Sequence, residues 1–157
     1  MKNISSKIKE WFPANEAVSA HCDGPCGVYD PASSRIAAEA VLSMTKKMLA
    51  LQPPEGNDAQ AWASYLNTMS RYALIKEEQA HIAKSEVLVL WTDYFKPAHL
   101  ENHPNLHTLI WETTKLLSHC KQHVDLDAAN QLMEKIKEIH TIFWATKGRD
   151  VTYYTAS

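Results

Sequence analysis

A chain of 157 residues is the size of one domain, and 45% hydrophobic against 22% charged residues is the balance of a globular protein with a single core. Sixteen Lys and Arg against eighteen Asp and Glu leave no basic excess for nucleic acid, and no apolar run nears the roughly 18 residues of a membrane span, so neither partner is expected. Three cysteines, an odd number, argue against a closed disulfide framework and for a reducing compartment, which predicts a cytoplasmic protein.

Residues 1–20 begin basic and end in Val18-Ser19-Ala20, small enough to imitate a signal-peptidase site. Lys7, Lys9 and Glu10 break every apolar run, so the core of about 7–15 apolar residues that a secretory signal needs is missing. The segment is expected to be a propeptide that a maturation protease removes, because the next residues gain a function from a free terminus. Its loss takes away three lysines and two glutamates and moves the formal charge from −2 to −3.

The stretch that follows, His21-Cys22-Asp23-Gly24-Pro25-Cys26-Gly27-Val28-Tyr29, is too punctuated for helix or strand. Cys22 and Cys26 are separated by three residues, not the two usual in zinc knuckles and thioredoxin-like sites, and Pro25 and Gly27 impose turns that can bring both sulfurs to one centre. A freed His21 adds an α-amine, titrating near about 7.7–8.0, beside its imidazole. Amine, amide and two thiolates would make a planar N2S2 set with the imidazole axial, a geometry that suits Ni(II) or Cu(II) rather than tetrahedral zinc. Alone, a Cys-x3-Cys pair is more often a disulfide, a zinc fragment or coincidence.

Asp30-Pro31 is a helix start, a carboxylate cap followed by proline at the first position. Ile36, Ala40, Val41, Met44, Met48 and Leu51 then recur at helical spacing until Pro53-Pro54-Glu55-Gly56 breaks the run. Asn57 to Lys96 holds neither Gly nor Pro, and Trp62, Leu66, Met69, Ala73, Ile82, Val87, Leu90, Trp91 and Tyr94 fall mostly on one side. At about 1.5 Å per residue one helix here would exceed about 50 Å, so an interruption or a protruding end is expected before Pro97.

Pro104 opens a third helix whose inner face carries Leu106, Leu109, Ile110, Thr113, Leu117 and Cys120. Asp125 or Asp127 caps a fourth, with Leu132, Ile136, Ile139 and Phe143 inward and Gly148 at its end. The fold expected is all-α: an antiparallel four-helix bundle over about 30–147, preceded by a metal-binding hook at 21–29 and followed by a loose tail at 148–157.

The stretch His-Cys-Asp-Gly-Pro-Cys-Gly-Val-Tyr at residues 21–29 closely resembles the nickel hook of nickel-containing superoxide dismutases, and the resemblance extends over most of 21–147. It includes Asp30-Pro31-Ala32, Arg35-Ile36, Ile75-Lys76-Glu77, Ala83-Lys84, Val89-Leu90-Trp91-Thr92-Asp93-Tyr94-Phe95-Lys96-Pro97, Leu106-His107, Ile142-Phe143-Trp144 and Thr146-Lys147. The resemblance implies a homohexamer of four-helix subunits, one nickel ion per subunit and superoxide as substrate. It implies that His21 gives its amine and axial imidazole, Cys22 its amide nitrogen and thiolate, and Cys26 a second thiolate. It further implies that Asp23, Tyr29 and Tyr94 line the pocket beside the metal, with Asp93 nearby and Lys96 attracting the anion at its mouth.

Gly24 stands where that family commonly has leucine, and Ala37 and Gln79 stand where it holds the axial imidazole with a Glu and an Arg. The linker around Pro53-Pro54 is longer than usual, and 149–157 extend the end. His99, His103 and His107, four apart but interrupted by Pro97 and Pro104, read as caps and surface contacts rather than a second metal site, and Cys120 as a core residue. The expected activity is nickel-dependent disproportionation of superoxide to oxygen and hydrogen peroxide by Ni(II)/Ni(III) cycling. Its rival is a non-catalytic metal-binding or thiol-redox module.

Overall fold

The computed structural model describes residues 27–156, and every regular element among them is helical. Four long helices form the body: α1 Ala32–Ala50, α2 Ala59–Val89, α4 Leu106–Gln122 and α5 Leu126–Thr146. A π-turn, Leu90–Tyr94, continues α2, and a six-residue helix α3, Pro97–Asn102, that the sequence pattern did not signal lies between it and α4. Around the bundle α1 packs on α2 and α5, α2 on α4, and α4 on α5. Lys84 of α2 meets Ser118 and Trp91 meets His107, so α2 and α4 run antiparallel.

The caps follow the residues expected of them. Asp30 accepts the Ala32 amide at 2.8 Å and Asp125 the Ala128 amide at 2.9 Å, each satisfying an orphan donor of a helix start. Gly148, at φ +64°, turns the chain out of α5 while its N–H donates to Ala145 O at 2.9 Å.

The inner faces expected of the last two long helices are buried without exception: Leu106, Leu109, Ile110, Thr113, Leu117 and Cys120 on α4, and Leu132, Ile136, Ile139 and Phe143 on α5. The first two helices depart from expectation. Ile36 is 57% exposed, and Leu66 and Ile82 also face out. Val41 on α1 and Val87 on α2 are buried as expected, but the rest of the buried α1 face includes Ser34, Ala37, Ala38, Leu42 and Thr45, matched on α2 by Lys76, Ala80 and Ala83. Small residues make up much of the packed stripe, and Ile36, Leu66 and Ile82 lie off it.

Both outcomes foreseen for the long segment occur. Helix α2 has 31 residues, about 46 Å at the usual rise, and none is fully buried before Lys76, so its first half projects beyond the bundle. Its other end is interrupted at Leu90. The tail expected to be loose is tied down over its described part, 148–156: His140 Nε2 donates to Val151 O at 2.9 Å, and the Arg35 guanidinium lies 4.3 Å from the Tyr154 ring centre. Burial of Tyr153 against His140 gives the chain its reason to return to the bundle.

Candidate metal centre

Gly27 is the first described residue, and its φ of +63° is left-handed backbone that glycine adopts without steric cost. Val28 faces solvent, and Tyr29 then turns back onto the bundle, its ring centre 5.6 Å from that of Tyr94. Two residues more than 60 apart in sequence, both expected at the site, are thus brought together. His21, Cys22, Asp23 and Cys26 lie outside the described residues.

The π-turn positions Tyr94. Phe95 N donates to Leu90 O at 2.9 Å, five residues back instead of four, and the extra residue advances every later side chain around the helix axis. Leu90 and Phe95 are buried, and Tyr94 emerges between Phe143, at 4.5 Å between ring centres, Phe95, at 5.2 Å, and His99, stacked at 5.6 Å. Its hydroxyl is 2.7 Å from Thr146 Oγ1. The Lys147 ammonium stands 5.1 Å from the same ring, a cation on the face of an aromatic cluster.

Lys96, two residues beyond Tyr94, is exposed, and Asp93 is half-buried. Lys96 N donates to His99 Nδ1 at 3.2 Å, and the His107 ring packs on Trp91, so these histidines serve as a cap and as a surface contact, as expected. His99, Phe143, Thr146 and Lys147 are the neighbours of Tyr94 that sequence reasoning did not assign. Thr146-Lys147 stood out only as part of a resemblance, and His99 only as one of a spaced series.

Among the described residues no group of three or more His, Cys, Asp or Glu could hold a metal. Cys120, the third thiol, is buried on α4, and that burial pushes its pKa up to about 11, so it stays protonated. Beside it Lys76 is buried too and donates to the carbonyls of Cys120, Lys121 and His123, closing the C-terminal end of α4; desolvation lowers its pKa. Ala37 is buried in the α1–α2 face and Gln79 is half-buried.

Compared with known proteins, residues 16–147 match the family model of the nickel-containing superoxide dismutases. The nickel superoxide dismutase of Streptomyces seoulensis is 45% identical over 140 residues, covering 89% of this chain and 98% of that protein. That of Streptomyces coelicolor is 44% identical over the same shares. The crystal structure of a nickel-containing superoxide dismutase with ligation corresponding to the oxidised state superposes with a TM-score of 0.70 at 44% identity, covering 82% of this chain and all of the other. A native structure of the same kind of enzyme gives 0.68 at 41%.

Proposed function

The chain belongs to the nickel-containing superoxide dismutases, and from that premise we propose how its own residues serve the reaction. It disproportionates superoxide: two anions and two protons give one dioxygen and one hydrogen peroxide, with nickel as the cofactor. His21 would hold the metal through its amine and imidazole, Cys22 through its amide nitrogen and thiolate, and Cys26 through a second thiolate. Bound by these donors, nickel supplies a one-electron couple between its divalent and trivalent states, which anionic sulfur and amide ligands bring within reach.

The residues present fit that metal. Cys120 is a buried thiol, so the thiolates fall to Cys22 and Cys26. Cys26 directly precedes Gly27, and three residues of chain keep it within about 11 Å of Tyr29. The single observation that carries the assignment is the Tyr29–Tyr94 contact: the chain leaving the hook is seated on the aromatic cluster at the end of α2. There Asp23, Tyr29 and Tyr94 would line a small pocket, exclude larger reductants and order the water that delivers protons. Lys96, exposed at the rim, and Lys147 above Tyr94 would draw the anion inward.

The amine of His21 exists only after a protease removes 1–20, so the mature chain begins at His21. The assembly proposed is a homohexamer in the cytoplasm. Ile36, Leu74 and Trp111, each more than half exposed, are the apolar surface such an assembly would cover, and no helix among the described residues is long and apolar enough to cross a membrane. Nickel-loaded chain beginning at His21 is expected to accelerate superoxide decay, and nickel-treated chain retaining 1–20 is not. Tight nickel binding by the trimmed chain without superoxide decay would favour the metal-storage or thiol-redox alternative.

A further inference from the structure

We infer that Thr146 is a positioning residue that fixes the direction of the Tyr94 hydroxyl hydrogen bond, so that Tyr94 presents only an acceptor to the metal pocket. The inference rests on the assignment of Tyr94 to that pocket. Two distances at the end of α5 carry it. Thr146 Oγ1 lies 2.6 Å from Phe143 O and 2.7 Å from the Tyr94 hydroxyl. The threonine has one hydroxyl proton for these two contacts.

Phe143 O decides where that proton goes. A carbonyl can only accept, and it is one of the last carbonyls of α5, which lose their partners where the helix stops. Lys147 N–H, the donor that a continuing helix would direct at Phe143 O, turns instead to Trp144 O at 3.1 Å. The Thr146 proton therefore goes to Phe143 O, and the Tyr94 proton must go to Thr146 Oγ1. The order is Tyr94 O–H to Thr146 Oγ1–H to Phe143 O, running from the aromatic cluster into the helix end.

The consequence for the pocket is one of polarity. With its proton committed, Tyr94 offers lone pairs. It can accept from a water or from protonated product, and it cannot donate to the superoxide anion without giving up its bond to Thr146. Tyr94 thus orders the proton-carrying water and disfavours direct seating of the anion against its own oxygen. The phenol stays in place because its ring is held by Phe143, Phe95 and His99.

The C–O stretch of a tyrosine reports this directly, rising when the phenol donates and falling when it only accepts. The chain has six tyrosines, so the infrared band of Tyr94 is isolated by subtracting the spectrum of Tyr94→Phe from that of holoenzyme carrying ring-labelled tyrosine. The expected band is that of a donating phenol. Thr146→Val should move it off that position, and Thr146→Ser should restore it. In superoxide decay Thr146→Val should fall by about fivefold, the worth of one neutral hydrogen bond, with an altered solvent isotope effect, and Thr146→Ser should recover both. A wild-type band of acceptor type, which needs no variant to fold, would overturn the inference, as would a Thr146→Val band that does not move. Loss of superoxide decay in the wild-type holoenzyme would instead strike the functional reading and leave the band, which does not depend on nickel, to be judged separately.

Discussion

Cys22, Cys26 and Cys120 carry the same side chain and should answer substitution differently. If Cys22 and Cys26 give the proposed thiolates, Cys22→Ser or Cys26→Ser removes a donor while leaving every described buried helix face intact, so nickel-dependent superoxide decay is expected to vanish with the far-ultraviolet helical signal unchanged. Cys120→Ser keeps the metal and its activity and costs stability, about 1–3 kcal/mol for a buried hydroxyl without an assured partner, read from the urea unfolding midpoint. An empty site in Cys120→Ser with a full one in Cys22→Ser would reverse the ligand assignment. Ala37 and Gln79 pose a second question, since they stand where the resemblance implies a charged Glu and Arg pair at the His21 imidazole and cannot form it. Gln79 can still offer a neutral hydrogen bond, and it is only half-buried. If Gln79 restrains His21, Gln79→Ala should turn a single nitrogen-split Ni(III) paramagnetic resonance signal into a mixture of split and unsplit species. An unchanged spectrum and turnover would exclude it from that role.

The connection between α4 and α5 is where single elements depend most on charged side chains. Lys76 reaches from α2 to three carbonyls at the end of α4, and Lys76→Met leaves those acceptors buried without a donor, at an expected cost of about 2 kcal/mol in the unfolding free energy. Asp125 caps α5, and the Ala128 amide and then His119, at 2.8 Å, hold its carboxyl below the usual aspartate range. A depressed folded value means that its stabilisation is present above the unfolded value of about 3.9 and is lost as pH falls through the folded value. The difference in urea midpoint between wild type and Asp125→Asn should therefore be full at neutral pH and shrink from about pH 4 downward; a difference independent of pH would contradict the charge's part in it. These caps, and the inner stripes of α4 and α5, were legible in the sequence because one aspartate and a run of large aliphatics suffice to mark them. The inner face of α1 was legible only in Val41, because Ser34, Ala37 and Ala38 carry little hydrophobic signal and Ile36 lies one step off the packed stripe. Helix α3 and the π-turn escaped for a related reason: a single turn of helix has no period to detect, and an inserted residue is recognised by its bond to a carbonyl five back, not by its type.

On the scale of the whole molecule, in the proposed reading, the bundle would serve as a mount for the hook. Among the described residues, the π-turn brings Tyr94 against Tyr29, and the end of α5 supplies Thr146 and Lys147 behind it. Before any coordinates the candidate site was legible as a cluster of ligand types in nine residues and as one distant tyrosine, whereas the residues supporting that tyrosine became visible only when α2 and α5 were laid side by side. The described part of the tail, 148–156, lies beyond the segment matched by the family and is secured through Val151, Tyr153 and Tyr154, none of which forms a periodic pattern. The central claim is that nickel is held at a terminus created by removing 1–20, and native mass spectrometry of active protein from its own cell tests it most directly. The account predicts six chains, each beginning at His21 and each carrying one nickel ion. Full superoxide-decay activity in chains whose mass still includes Met1–Ala20, or in chains without nickel, would contradict it.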